Sequence, residues 1–195
     1  MGLLKLLFGS SKTSSKVAPP LDLIYLTEAA KFRAVERTIR ERALANSASI
    51  ILVGHLGSTM ERLLVVADES EHETMAVRGN TLSPDVAASM NFDTGATVDL
   101  IVAERHPLPA GDQFIMDFAE ALQCRSRITH VLSLDDTIMK VFAGDFVKQM
   151  MSNLGMGEDE AAESKLVARR MKSAQQAIEK KMKACLLYTS DAADE

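Results

Sequence analysis

Ser49-Ile50-Ile51-Leu52-Val53-Gly54 is the stretch on which the fold turns. An unbroken apolar run closed by a glycine leaves no polar face, as expected of a strand covered on both sides in a parallel sheet. Downstream, Ser58–Ala67 carries a helical pattern, Thr74–Val77 a weak strand and Pro84–Met90 a short helix. Val98–Ala103 reads as a second wholly apolar strand and Arg127–Leu132 as a third. Between them, Asp112–Leu122 is helical, with Phe114, Ile115, Phe118 and Leu122 on one face. Upstream, strand-like and helix-like pieces alternate from Leu21. Thr27 suits a helix cap, and Phe32, Val35, Ile39 and Ala43 then recur at helical spacing. Lys31, Arg33, Glu36, Arg37, Arg40 and Glu41 are expected on the opposite, solvated face. This alternation predicts a layered α/β domain with a mainly parallel sheet.

The carboxy-terminal part reads as helical. Ser133 with Asp136 three residues on suggests a helix start. Ile138, Met139, Phe142, Phe146, Met150 and Met151 form a broad apolar stripe suited to core packing, which Gly155 and Gly157 end. A further helix is expected over Glu163–Ala184. Its Val167, Met171, Ala174, Ile178 and Met182 make a narrow seam, flanked by Arg169, Arg170, Lys172, Lys180 and Lys181, that wants a partner helix. Residues 185–195 match, residue for residue, one frame of a transposase sequencing-library adapter, and such scars are excluded from structural argument. The expected division is an amphipathic segment and linker (1–20), an α/β domain (21–153), the start of a helical scaffold (154–184) and the adapter-like tail (185–195). The natural chain is then expected to continue beyond Ala184.

Composition narrows the function classes. The 195 residues, 47% of them hydrophobic, suffice for one core with a helical appendage. A net charge of −5 with no aromatic-rich basic face argues against nucleic acid. Cys124 and Cys185 offer no disulfide framework, and His55, His72, His106 and His130 are dispersed, so no metal site is expected. Cys124 with His130, and Ser58 with His55, are weak nucleophile pairs without an orienting acid nearby in sequence. No apolar run approaches the ~20 residues that span a bilayer. A reducing, cytoplasmic setting is expected, with attachment to the membrane's inner face at most peripheral. Such attachment would use Leu3, Leu4, Lys5, Leu6, Leu7 and Phe8, because Lys5, Lys12 and Lys16 accompany these apolar residues and no acidic residue precedes Asp22. A tail that touches nothing is the alternative. Pro19-Pro20 makes the following linker resist helix and sheet.

Several stretches carry a family resemblance. Asp22-Leu23-Ile24-Tyr25-Leu26-Thr27-Glu28-Ala29-Ala30-Lys31-Phe32, followed by the run from Ile50 to Gly54, resembles the opening of the second motor domain of SecA, the preprotein translocation ATPase. Glu104-Arg105-His106 is similar to that domain's Thr-Glu-Arg-His stretch, and Leu132 to Met139 to its Leu-Ser-Leu-Glu-Asp-Asp-Leu-Met. Met150 to Met156 matches Met-Met-x-x-Leu-Gly-Met, and Ser173-Ala174-Gln175 resembles the start of the scaffold helix. Met1 to Phe8 looks like the family's lipid-touching amino terminus. The pieces are collinear from Leu21 to Ala184. The resemblance implies a three-layer RecA-like (P-loop NTPase-like) domain with a helical extension, and a SecA-like motor or the translocation channel as partner.

It also implies what is missing. In SecA, ATP lies between two RecA-like domains; one holds the phosphate loop and magnesium carboxylates, the other supplies arginines. A phosphate loop needs glycines for close backbone approach, a lysine for the phosphates and a hydroxyl for magnesium. No Gly-Lys dipeptide occurs in this chain, and the family's Gly-Arg-Gly-Thr-Asp and glycine-arginine-rich motifs have no counterpart. Gly54, His55, Glu104, Arg105, Arg125 and Arg127 are the residues expected to remain of a nucleotide-facing surface. ATP binding follows from the resemblance alone, so no cofactor is expected. The reading is a SecA-like, non-hydrolysing binding module, a degenerate ATPase. Its rivals are half of a composite ATPase site completed by a separate motor subunit, and a small hydrolase using the Gly54–Ser58 loop.

Overall fold

The computed structural model describes residues 16–142, 144–153, 155–163 and 165–191. Strands β1 (Leu21–Tyr25), β2 (Ser49–Gly54), β3 (Thr74–Arg78), β4 (Thr97–Val102) and β5 (Arg125–Ser133) alternate with helices α1 (Glu28–Leu44), α2 (Gly57–Asp68), α3 (Pro84–Ser89) and α4 (Pro109–Ala121). Helices α5 (Thr137–Phe142), α6 (Gly144–Asn153) and α7 (Lys165–Asp191) follow. The strands form one sheet in the order β1-β5-β4-β2-β3, and every neighbouring pair is parallel. The result is an α/β domain consistent with the RecA-like fold that the resemblance implies.

Successive side chains of a strand face opposite sides, and both sides are covered. Ile50 and Leu52 of β2 join Ile101, Val131 and Tyr25 under Phe32, Val35 and Ile39 of α1 and Met60 and Leu63 of α2. Ile51 and Val53 join Val98, Leu100, Val102 and Ile128 under Ala87 of α3 and Ile115, Phe118 and Ala119 of α4. A third cluster, Ile24, Leu26, Leu132, Leu134, Ile138, Met139 and Met171, docks α5 and α7 beside β1 and β5. Thr27 caps α1 as expected, its hydroxyl accepting from the Ala30 N–H at 3.1 Å. The seam of α7 meets the same chain in its first half, with Met171 and Ala174 buried, while Met182 is 47% exposed.

Three expectations are corrected. The strand β4 is not wholly apolar: Asp99 is buried within it and sits directly opposite Arg127 on β5. The guanidinium grips both carboxylate oxygens, Nε to Oδ1 at 2.8 Å and Nη2 to Oδ2 at 2.6 Å. Ser47 donates to Oδ2, and Arg42 Nε lies 3.3 Å from Oδ1. Burial of this charge is tolerated because it is paired and hydrogen-bonded. Lys31 does not lie on the solvated face of α1. It turns inward, 1% exposed, and its Nζ donates to Asp136 Oδ1 at 2.6 Å. The third correction concerns Ser133, which is the last residue of β5 and not the cap of α5. Asp136 immediately precedes α5, and its carboxylate accepts from the Ser133 N–H and hydroxyl, both at 2.9 Å.

The free edge of β1 is covered. Ile24 and Ala162 exchange backbone hydrogen bonds in an isolated antiparallel bridge, 3.1 and 2.9 Å. Arg33 of α1 holds the segment before Ala162 through Asp159 at 2.7 Å.

Candidate functional site

In open parallel sheets the ligand crevice lies beyond the carboxyl ends of two strands whose connections leave in opposite directions. Here β2 feeds α2 toward β3 at one edge, and β4 feeds α4 toward β5 on the other side, so the crevice falls between β2 and β4. The turn after β2 carries His55 and Leu56, and the turn after β4 carries Glu104, Arg105 and His106.

Glu104, 2% exposed, reaches across to the start of α2. Its Oε1 accepts from the backbone N–H groups of His55 (2.8 Å) and Leu56 (2.6 Å), and its Oε2 from the Thr59 hydroxyl (2.8 Å). Leu56 is the capping residue of α2 and has no side-chain oxygen to offer. The carboxylate satisfies the N–H of this capping residue and that of His55 before it, and lies at the positive end of the helix dipole.

Arg105 is held between two carboxylates, Asp22 Oδ1 at 2.6 Å and Asp112 Oδ2 at 3.0 Å. Asp112 also accepts from the His106 N–H at 3.1 Å and from Gln175 of α7 at 2.8 Å. The Gln175 amide donates as well to the His106 carbonyl at 2.7 Å, so α7 is latched to the crevice by a polar contact and not by its apolar seam alone. His130 of β5 lies with Nδ1 3.0 Å from Asp22 Oδ1. Arg105 and His130 keep the Asp22 carboxyl below the usual carboxylate range, against the upward push of burial. Two glycines make room for the rings. A Cβ on Gly79 would come within 2.3 Å of His55, and one on Gly111 within 2.0 Å of His106.

His55 and His106 meet edge to face at 5.0 Å, and His55 Nε2 is buried without a hydrogen-bond partner. Burial, reinforced by His106, lowers the His55 pKa to about 4. Burial likewise pushes His130 down, against the pull of Asp22. A depressed histidine contributes stability that is present above its unfolded value and lost as pH falls through its folded value. Between pH 6.5 and about 4 the unfolded chain therefore binds the extra proton, and acid destabilises the fold. From His55 alone, urea unfolding should give ~2 kcal/mol less stability at pH 5 than at pH 7. The variant His55→Gln should flatten that slope; an unchanged slope in the variant would mean that His55 is not buried neutral.

The crevice thus assembles Gly54, His55, Glu104 and Arg105, but not the other two arginines. Arg125 and Arg127 begin β5, at the opposite, amino-terminal edge of the sheet, where Arg127 is committed to Asp99. Cys124 and His130 are separated by six residues of nearly continuous strand, roughly 20 Å, and burial pushes the Cys124 thiol up. The His55 ring is buried, whereas Ser58 is exposed on α2. Among the described residues, no group of three or more His, Cys, Asp or Glu is arranged to hold a metal ion, and no helix is long and apolar enough to cross a membrane. Leu3, Leu4, Lys5, Leu6, Leu7 and Phe8 lie outside the described residues. Asp22, Asp112, His130 and Gln175 were not foreseen as part of the site; the one signal for Asp22 and His130 is a charged or titratable residue inside an apolar strand.

No family model matches the chain. Its similarities are to SecA proteins. It is 56% identical over 50 residues, 26% of this chain and 4% of the relative, to protein translocase subunit SecA 1 of Rhodopirellula baltica. It is 28% identical over 142 residues, 73% of this chain and 15% of the relative, to SecA of Dichelobacter nodosus. A third similarity, 29% over 187 residues, covers 81% of this chain and 21% of SecA from Nitratiruptor. The chain spans about a fifth of the length of the relatives that it matches most extensively. Over some four-fifths of its length the chain is a SecA-related segment.

Proposed function

We propose that this chain is a SecA-related binding module of preprotein translocation that does not itself hydrolyse ATP. The relatives are protein translocase subunits, which supplies the process. One observation carries the non-hydrolysing part. The Glu104 carboxylate stands at the start of α2 and takes the N–H groups of His55 and Leu56 and the Thr59 hydroxyl, in the crevice where a phosphate-binding RecA-like domain would present N–H groups to phosphate. A nucleotide phosphate entering there would meet a carboxylate where it needs donors. No Gly-Lys dipeptide supplies a countercharge, and Arg105 is spent on Asp22 and Asp112. The residues present do not fit a nucleoside triphosphate, and without charge stabilisation of the transferring phosphoryl group the main source of catalysis is lost. The composite-site reading has no comparable support, because Arg125 and Arg127 lie at the far edge of the sheet.

The partner on this reading is a SecA-like motor or the translocation channel. The outer half of the α7 seam, ending at the exposed Met182, is the surface offered to it. The purified full chain should release no phosphate from magnesium-ATP above buffer. Added to a reconstituted system of separately purified SecA and channel, it should change SecA's translocation rate. Magnesium-dependent turnover that survives stringent purification and vanishes in Glu104→Gln would overturn the reading.

A further inference from the structure

The two edges of the sheet are finished differently. At β1 the bridge between Ile24 and Ala162 occupies the outer side. At the other edge β3 has β2 beside it, and no backbone hydrogen bond from a described residue reaches its outer side. Soluble domains commonly blunt such an edge with a proline, a bulge, an inward-facing charge or a covering segment. Thr74-Met75-Ala76-Val77 has neither proline nor charge, and β3 pairs with β2 in unbroken register from Thr74 to Arg78.

Apolar side chains flank this open edge on both faces. Ala76 packs toward α2 and Val77 toward α3 and α4. Met75, two residues before Val77, shares the α3 side and is 42% exposed. On the other face the Thr74 hydroxyl donates to the Ala67 carbonyl at 3.4 Å, which sets the end of α2 over the start of β3. Leu64, nearly one turn earlier, therefore lies over the middle of the strand. Arg62 reaches across to the Phe32 ring of α1, 4.2 Å from its centroid. Residues two apart on a helix point about 200° apart, so Leu64 looks the other way, over the free edge. It is 54% exposed.

The charges beside Leu64 are placed symmetrically. Asp68 stands at the level of Thr74, and Arg78 lies four residues farther along, so acid and base fall on either side of Ala76. Both are exposed, and neither has an ion pair among the described residues. Arg78 shares the α2 side with Ala76, as Asp68 does.

We infer that the outer edge of β3 is a homodimer interface, which joins the sheets of two copies into one continuous sheet across a two-fold axis at Ala76. The two β3 strands then run antiparallel, with Thr74 opposite Arg78 and Met75 opposite Val77. Arg78 of each copy comes to Asp68 of the other, and the two Leu64 side chains meet over the axis. Glu69, Glu71 and Glu73 are exposed at the same end as Asp68, and Glu61 is exposed on the outer side of α2. The antiparallel register keeps the two acidic ends apart and sets each against an arginine, whereas a parallel pairing would bring them together. Such a contact is isologous and closes at two copies. An extended peptide could satisfy the same backbone groups, but it offers no fixed partner for Asp68, Arg78 or Leu64. Helix α7 docks beside β1 and β5, at the far edge, and stays free for the partner proposed above.

The test is the oligomeric state of the full chain carrying Cys185→Ser, measured by sedimentation velocity over a concentration series. A monomer–dimer equilibrium is expected. Asp68→Arg and Arg78→Asp each set like charge against like and should weaken the dimer roughly tenfold or more. The double variant Asp68→Arg/Arg78→Asp should recover most of that loss. Leu64→Cys in the same background should be joined to its own copy by a short bifunctional thiol reagent, because a residue meets itself only near a two-fold axis. Circular dichroism of each variant shows that it is folded. A chain that stays monomeric, whether or not β3 takes up an extended peptide, would overturn the interface. So would a dimer indifferent to both single variants, or a double variant no better than the singles.

Discussion

Replacing Lys31 by methionine should cost about 3–5 kcal/mol of folding stability, the largest loss expected of a single change in this chain. Lys31 and Asp136 have side chains only 1% and 4% exposed, so removing the ammonium strands a carboxylate in the interior. The pair's worth as a unit is another matter. Burial pushes the Asp136 carboxyl up in spite of Lys31 and the two Ser133 donors, so desolvation outweighs what the partners return. The double variant Lys31→Met/Asp136→Leu should therefore recover much of the loss, short of the bonds to Ser133. Urea denaturation of the three chains at pH 7 measures this. A single variant as stable as the parent would mean that the pair is hydrated in solution, and a double variant no better than the single would mean that the ion pair itself drives folding.

The second large effect is expected at Glu104. In Glu104→Ala the N–H groups of His55 and Leu56 and the Thr59 hydroxyl lose their acceptor together, at a side chain that is 2% exposed. Hydrogen bonds to a charged group are worth ~1.5–3 kcal/mol each and are not additive here, so a loss of roughly 3 kcal/mol is expected. Glu104→Gln keeps an acceptor oxygen for the two N–H groups and should recover more than half. Hydrogen exchange separates this from a general weakening of the core. In Glu104→Ala the first turn of α2 should exchange faster relative to the strands, and uniform acceleration across the sheet would show that the carboxylate is not a local cap.

The sheet was legible in the sequence because parallel strands covered on both faces write themselves as apolar runs, and Ile50–Val53 is such a run. The α1 helix was legible from Thr27 and the spacing of Phe32, Val35 and Ile39. What failed was the placement of particular charges, although Arg33, Glu36, Arg40 and Glu41 do lie exposed on α1. Lys31 sits among charged residues in sequence, and only the fold brings Asp136, more than a hundred residues away, over it. Asp99 stands inside the stretch read as wholly apolar, and its partner Arg127 is fixed by strand register, which a single sequence does not display. The crevice was half legible. Gly54, His55, Glu104 and Arg105 follow strands that could be found, whereas Asp22 and Gln175 arrive from β1 and α7 through tertiary packing. Arg125 and Arg127 were grouped with the crevice by residue type, but a strand has two ends, and they stand at the other one.

The placement of β1 bears on how the chain reaches this structure. First to emerge among the strands, β1 has β5, roughly a hundred residues later, as its neighbour in the sheet, so its ladder carries the largest loop-closure cost there. Synthesis proceeds at about 5–20 residues per second, so β1 and its apolar Leu23, Ile24 and Tyr25 wait several seconds or more for their neighbour. The strands β2, β3 and β4 pair among themselves in the meantime. A nascent chain halted before β5 would therefore hold a partial three-stranded sheet with its first strand unpaired, the species on which a chaperone would act.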